Sequence, residues 1–214
     1  MSQSCNPDEG NAFFYPNKFA RIMFDSLEEV MGRNGINALL HLAKLPKYIT
    51  ERPPDNLKKE FPFSDFTALQ IALEDMYGPR GGRGLAVRAG RLTFKRGLDG
   101  FGALSGVGDL AFRMLPLGIK LKMGLPALAN FFSQFSDQIS HVQDKGLYFV
   151  YTLEQCPMCC NREATAPVCH FGLGHLQEAL TWVSGGHTFE VKIVSCMAQS
   201  DEMGRYHITK QPVS

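Results

Sequence analysis

The sequence predicts an α+β fold, helical through its first two thirds and mixed helix and strand after that. Three observations carry this. Apolar residues recur at helical spacing along the first hundred positions. Gly146-Leu-Tyr-Phe-Val-Tyr-Thr-Leu153 is dense in aromatic and β-branched residues, as a strand is. Phe189, Val191 and Ile193 alternate with Glu190 and Lys192, which gives a second strand one buried and one wet face. With 214 residues, of which 44% are hydrophobic, the chain suits one domain with a sizeable core. Residues 1–16 read as a polar tail and 17–210 as a single domain, with a helical half over 17–145 and a cysteine-rich α/β half over 146–210.

The elements follow in order. Phe19, Ile22, Met23, Leu27 and Val30 mark a helix that begins after Pro16-Asn17 and ends near Gly32. A second runs from Ile36 to Leu45, where Pro46 stops it, and the prolines of Glu51-Arg-Pro-Pro-Asp-Asn make a loop. Phe66, Leu69, Leu73 and Met76 form a third stripe, closed by Gly78-Pro79, and a fourth helix covers Leu85 to Lys95. Residues 97–126 are apolar but punctuated by glycine and proline, and a helix from Pro126 to His141 follows. After the strand at 146–153, a helix from Gly174 to Ser184 carries the only tryptophan, Trp182. Gly185-Gly186 turns the chain into the strand at Phe189, and Arg205-Tyr-His-Ile-Thr-Lys210 returns as its partner.

A net charge of +1 gives no reason to expect nucleic acid as a partner. The basic run Arg80, Arg83, Arg88, Arg91, Lys95 and Arg96 reads as a solvated helix face, with an anionic ligand or partner surface as the functional alternative. The N-terminus lacks the basic start and apolar stretch of a secretory signal, so the expected compartment is the cytoplasm. The most apolar segment, Phe101 to Phe132, is interrupted by Asp109, Arg113, Lys120 and Lys122. Each charge would cost about 2.5–3.5 kcal/mol at mid-bilayer, so no transmembrane span is expected. Phosphate-binding loops, a nucleophile elbow and an H-E-x-x-H pair are all missing, and no catalytic residue is assigned.

The cysteines are the main chemical signal. Five of the six lie in Cys156-Pro-Met-Cys159-Cys160, Cys169-His170 and Cys196. A C-x-x-C pair lets two sulfurs reach one ion without straining the turn, and Cys169 and Cys196 can complete a tetrahedral set at about 2.3 Å from zinc. The same residues could instead be buried, inert thiols or take part in redox or disulfide chemistry. Cys160, adjacent to Cys159, is left outside the set Cys156, Cys159, Cys169 and Cys196, and Cys5 joins none of these readings. Glu154 is a nearby oxygen donor, and His170 and His175 read as structural or supporting groups.

Pro167-Val-Cys169-His-Phe-Gly172-Leu-Gly174 and Phe189-Glu-Val-Lys-Ile-Val-Ser-Cys196-Met-Ala-Gln-Ser-Asp201, with the Cys156-Pro-Met-Cys159 segment upstream, resemble the 4-vinyl-reductase domain family in its free-standing form. Met31-Gly-Arg-Asn-Gly35 and Tyr77-Gly78 are similar as well, so the resemblance covers about residues 18 to 210. It implies an antiparallel sheet packed against helices, a ligand-binding fold shared with aromatic-sensing activator domains and vesicle-tethering subunits, and a homodimer. It also implies hydrophobic ligands: hydrocarbons, aromatics or tetrapyrroles. Sensor members hold zinc with three cysteines and a glutamate. Cys169 and Cys196 match two of those cysteines, while the third position is Gly204 and the turn glycine is replaced by Ser200.

The expected function is therefore non-catalytic binding of a hydrophobic small molecule, with a cysteine-held structural zinc. The glycine-broken region offers Phe101, Leu104, Phe112, Leu115, Leu128, Phe131, Phe132 and Phe135 as pocket residues, for a cavity of about 300–1,000 Å³. The alternative is an enzyme or accessory protein of bacteriochlorophyll or other tetrapyrrole metabolism, in which the four thiols hold an iron–sulfur cluster. A third class is an interaction module like the tethering subunits, using its helical face for partners.

Overall fold

Two long helices dominate the first half because their apolar stripes run on past the points where glycine breaks the helical path. The computed structural model describes residues 12–105, 112 and 114–213, with backbone alone over 102–105. In chain order the elements are β1 (Phe14–Pro16), α1 (Asn17–Leu42), α2 (Lys47–Thr50), β2 (Lys59–Pro62), α3 (Phe63–Ser105) and α4 (Leu117–Phe135). Then come β3 (Ser140–Asp144), β4 (Tyr148–Leu153), α5 (His170–Ser184), β5 (Val191–Ser195), a 3-10 turn (Met197–Gln199) and β6 (Gly204–Thr209). The fold is α+β, with antiparallel sheets packed against helices.

Gly32 (φ 76°, ψ 163°) interrupts α1 and Gly78 (φ 72°, ψ 165°) interrupts α3 with nearly the same backbone angles. The stripes expected as four helices therefore form two broken ones. Only the backbone of one residue separates the halves, and Pro79 restarts α3 from a position where its missing N–H costs little. The helix expected from Pro126 begins earlier, at Leu117, and passes through Pro126 with one backbone hydrogen bond fewer. It ends at Phe135, and Ser140–Asp144, whose first residues were expected as its last turn, is a strand instead.

β1 and β2 pair antiparallel, with Tyr15 opposite Phe61. The larger sheet has the order β3-β4-β6-β5, antiparallel throughout. In it Phe149 lies opposite Ile208 and Tyr151 opposite Tyr206, so four buried side chains line one face. Alternation along β6 leaves Tyr206 and Ile208 inside and His207 on the other face, stacked on Tyr148 with ring centroids 4.5 Å apart.

The core is continuous from the aromatic cluster of Phe24, Phe61, Phe63 and Phe66 to the C-terminal helix. Its tightest contact is between α3 and α5. A Cβ placed on Gly90 would fall 2.1 Å from the Phe171 carbonyl oxygen, so at this crossing the helix backbones touch directly. No helix among the described residues is long and apolar enough to cross a membrane.

Candidate functional site

Two features stand side by side in the C-terminal half, a cluster of four thiols and an apolar cavity, and α5 adjoins both. The loop after β4 is folded so that Cys159 N–H donates to the Cys156 carbonyl (3.1 Å) and Arg162 N–H to the Cys159 carbonyl (3.2 Å). This tight turn aims both sulfurs of the C-x-x-C pair the same way. Thr67 of α3 anchors it by donating to the Pro157 carbonyl at 2.7 Å. Cys169 is the residue before α5, and its carbonyl accepts from the Tyr206 hydroxyl at 2.9 Å. Cys196 follows directly on β5, its N–H donating to Asp201 Oδ2 at 2.7 Å.

The four sulfurs converge. Cys156 lies 3.5 Å from Cys169, Cys159 lies 3.3 Å from Cys169, and Cys196 lies 3.6 Å from both Cys159 and Cys169. All four are buried and free of disulfides. The sulfurs of Cys156, Cys159 and Cys169 sit within 4.8 Å of one another, close enough to bind a metal. A tetrahedral ion with bonds of about 2.3 Å separates its sulfurs by about 3.8 Å, so the cluster is already near that size. Burial pushes the Cys156 thiol up, but hydrogen bonds from Cys159, Cys169 and the Met158 backbone outweigh it and hold the group at about 5. Cys169 is raised by its hydrogen bonds with Cys156, Cys159 and Cys196, and Cys196 is raised chiefly by its hydrogen bond with Cys159.

Cys160 is buried and outside this set. Glu154 is exposed and pairs with His141 at 3.4 Å. His170, beside Cys169, has a lowered pKa, first from burial and then from Arg83.

The cavity lies between α1, α3, α4 and α5 and holds about 80 Å³, well below the 300–1,000 Å³ expected from the sequence. That admits roughly five to eight water-sized groups, about one aromatic ring with a substituent. Phe101, Leu128, Phe131 and Phe132 line it. Phe135 packs on Phe131 with centroids 4.9 Å apart but does not reach the cavity. Leu115 is not part of the lining, and neither is Phe112, although a Cβ on Gly124 would meet its ring tip at 3.7 Å. The Leu104 side chain lies outside the described residues.

The opposite wall comes from residues for which no pocket role was expected: Thr93, Phe94 and Leu98 on α3, and His175, Leu180 and Trp182 on α5. Trp182, the only tryptophan, was the one signal that could have drawn attention to this helix. Burial pushes the His175 imidazole down to about 4, with the nearby Gly90 carbonyl opposing the shift, so the ring is neutral at pH 7. It packs edge-on against Phe94 and Phe132, with centroids 5.2 and 5.3 Å away.

A second space of about 30 Å³ shares Phe19, Leu128, Phe132 and His175 with the first and extends to Met158 in the cysteine loop. Two of its polar groups pair with one another, the Tyr15 hydroxyl donating to Gln138 Oε1 at 2.6 Å.

This architecture, helices packed on an antiparallel sheet with an apolar cavity between the helices, resembles several solved structures. A doubly substituted Tt H-NOX protein superposes with a TM-score of 0.59 at 11% identity, covering 93% of this chain and 97% of that one. The Fe(II) unliganded H-NOX protein from K. algicida gives 0.56 at 12% identity, over 92% of this chain and 96% of that one. The phenol-responsive sensory domain of the transcription activator PoxR, solved with phenol, gives 0.50 at 18% identity, over 69% and 73% of the two chains. At these identities the likeness establishes the fold. No protein-family profile and no curated sequence matches the chain.

Proposed function

We propose that this protein is a non-catalytic binder of a small hydrophobic molecule, with a structural zinc held by Cys156, Cys159, Cys169 and Cys196. The observation that carries the first half is the cavity, walled by aromatic and aliphatic side chains from four helices. That the PoxR domain was solved with phenol, on a related fold, agrees with this. About 80 Å³ suits a single-ring compound better than a tetrapyrrole, which is several times larger.

Four buried thiols at 3.3–3.6 Å spacing fit a thiolate-bound metal. A site of this kind has no position left for water, so it contributes to folding and does not activate a nucleophile. Membership of the 4-vinyl-reductase domain family, homodimerisation and a cytoplasmic location belong to the same proposal, resting on the motifs around Cys156, Cys169 and Cys196.

Elemental analysis and an absorption spectrum of protein purified without oxygen test the metal. About one zinc per chain and no visible band is the expected result. Iron with sulfide and a broad visible band would replace this reading with a redox role in tetrapyrrole metabolism. Titration with small aromatics, followed by Trp182 fluorescence, tests the cavity, because that indole lines it.

A further inference from the structure

The first turns of α4 carry apolar side chains on both sides of the helix. Leu121, Gly124 and Leu125 are buried against the core, as a packed helix requires. Ile119 and Met123, one turn apart on the opposite side, are 45% and 52% exposed, and Met114, just ahead of the helix, is 82% exposed. Single exposed apolar residues are ordinary on a protein surface, but a line of them along one outer face is not. The helix also has no acidic residue. Its two charged side chains are Lys120 and Lys122, and helical geometry sets them on either side of the line from Ile119 to Met123.

The fold brings a further apolar side chain to the same end of the molecule. β3 runs back along α4, from Ser140, whose N–H donates to Ser133 Oγ at 3.1 Å, to Asp144, whose Oδ2 lies 3.6 Å from Lys122 Nζ. The turn between β3 and β4 therefore comes up beside the first turns of the helix. The Gly146 N–H closes it by donating to Asp144 Oδ1 at 2.9 Å, and it displays Leu147, 87% exposed, next to an exposed Lys145. Lys210, just after β6, pairs with Asp144 as well. One carboxylate among Lys120, Lys122, Lys145 and Lys210 leaves this group strongly positive.

We propose that this end of the molecule, the outer face of α4 with the β3–β4 turn, docks on a bilayer surface that contains anionic lipid. Ile119, Met123 and Leu147 enter the boundary between headgroups and acyl chains, and the lysines meet the phosphates. An apolar strip edged by cations is the complement of that boundary, where hydrocarbon and negative charge lie close together. Lysine suits the edge, because its stem lies along the apolar layer while its ammonium reaches out of it. A second copy of this chain fits the face less well, since setting it against itself would bring the lysines together. The contact is peripheral, as no helix among the described residues is long and apolar enough to span a membrane. It is independent of the cavity, which Ile119, Met123 and Leu147 do not line.

Co-sedimentation of the full chain with vesicles tests this, using phosphatidylcholine alone and phosphatidylcholine with about a third phosphatidylserine. Binding is expected to be at least tenfold tighter on the anionic vesicles and to fall steeply as salt rises from about 0.05 to 0.5 M. Met123→Ser with Leu147→Ser should weaken it at least tenfold. Lys120→Gln with Lys145→Gln should weaken it about twentyfold, at roughly fivefold for each lysine near the surface. All four positions lie outside the core, so both double variants should melt with the parent. Binding to neither vesicle, equal binding to both, or binding that neither pair of substitutions weakens would overturn the proposal. Light scattering supplies the remaining arm: a dimer split by Met123→Ser with Leu147→Ser, with vesicle binding untouched, would make this face an interface between copies and overturn it too.

Discussion

Gly174 of α5 rests directly on Val87 of α3: a Cβ at position 174 would lie 2.0 Å from the Val87 carbonyl oxygen. The obstacle is backbone, which cannot swing aside. Gly174→Ala is therefore expected to push the two helices apart and to destabilise the protein by roughly 3 kcal/mol. Urea denaturation checks this; a midpoint unchanged from the parent would mean that the two helices can separate at little cost.

Removal of the proposed metal should reach the cavity. Cys169 immediately precedes α5, and the same helix carries His175, Leu180 and Trp182 into the cavity wall. Incubation with a strong chelator, or Cys156→Ala, is expected to lower the melting temperature by about 10–20 °C, as a loss of several kcal/mol does in a chain of this size. The same treatment should weaken binding of an aromatic probe, read by fluorescence of Trp182. A protein that melts and binds unchanged after metal removal would show the thiols to be inert core residues.

His175 gives the protein an acid sensitivity with a definite sign. Its folded pKa is held at about 4 by burial, while in the unfolded chain it returns to the ordinary value near 6.5. Between those values the unfolded state binds the proton and the folded state does not, so stability is full above pH 6.5 and falls as pH drops towards 4. From pH 7 to pH 5 the loss is about 2 kcal/mol from this group. Denaturation curves of the parent and His175→Phe at the two pH values isolate it, because the variant should lack that share of the decline.

The cysteine loop has its own electrostatic support. Arg162, 7% exposed in its side chain, donates to Glu74 Oε2 at 2.8 Å. Glu74→Ala leaves a buried guanidinium without its counter-charge and should cost roughly 3 kcal/mol. Adding Arg162→Met should recover most of that loss, since the expense lies in the unpaired charge. Thermal melts of the single and double variants decide the matter.

The apolar stripes of α1, α3 and α4 and the strands β4, β5 and β6 were legible in the sequence because each is set by local periodicity. Their continuity was not. Gly32 and Gly78 carry the ordinary signal of a helix end, and nothing local says that the chain resumes the helix one residue later. β1 and β2 are three and four residues long, and β3 is the polar run Ser140–Asp144, so all three depend on partners outside their own segment. The thiols stood out because clustering of a rare residue type is visible without a fold. The cavity was half visible: its α4 wall lies in the greasy segment from Phe101 to Phe135, but Thr93 and His175 are 82 positions apart and reach one cavity because Gly90 and Gly174 let their helices touch.

The paired breaks at Gly32 and Gly78 have a stereochemical consequence. At both, a Cβ would find nothing within 4 Å, so room for a side chain exists. What excludes one is handedness, since positive φ with ψ near 165° is open to glycine and closed to L-residues. A D-alanine inserted at either position by chemical synthesis should adopt the native φ and ψ without backbone strain and stiffen the unfolded chain, whereas L-alanine should break the helix that glycine bends.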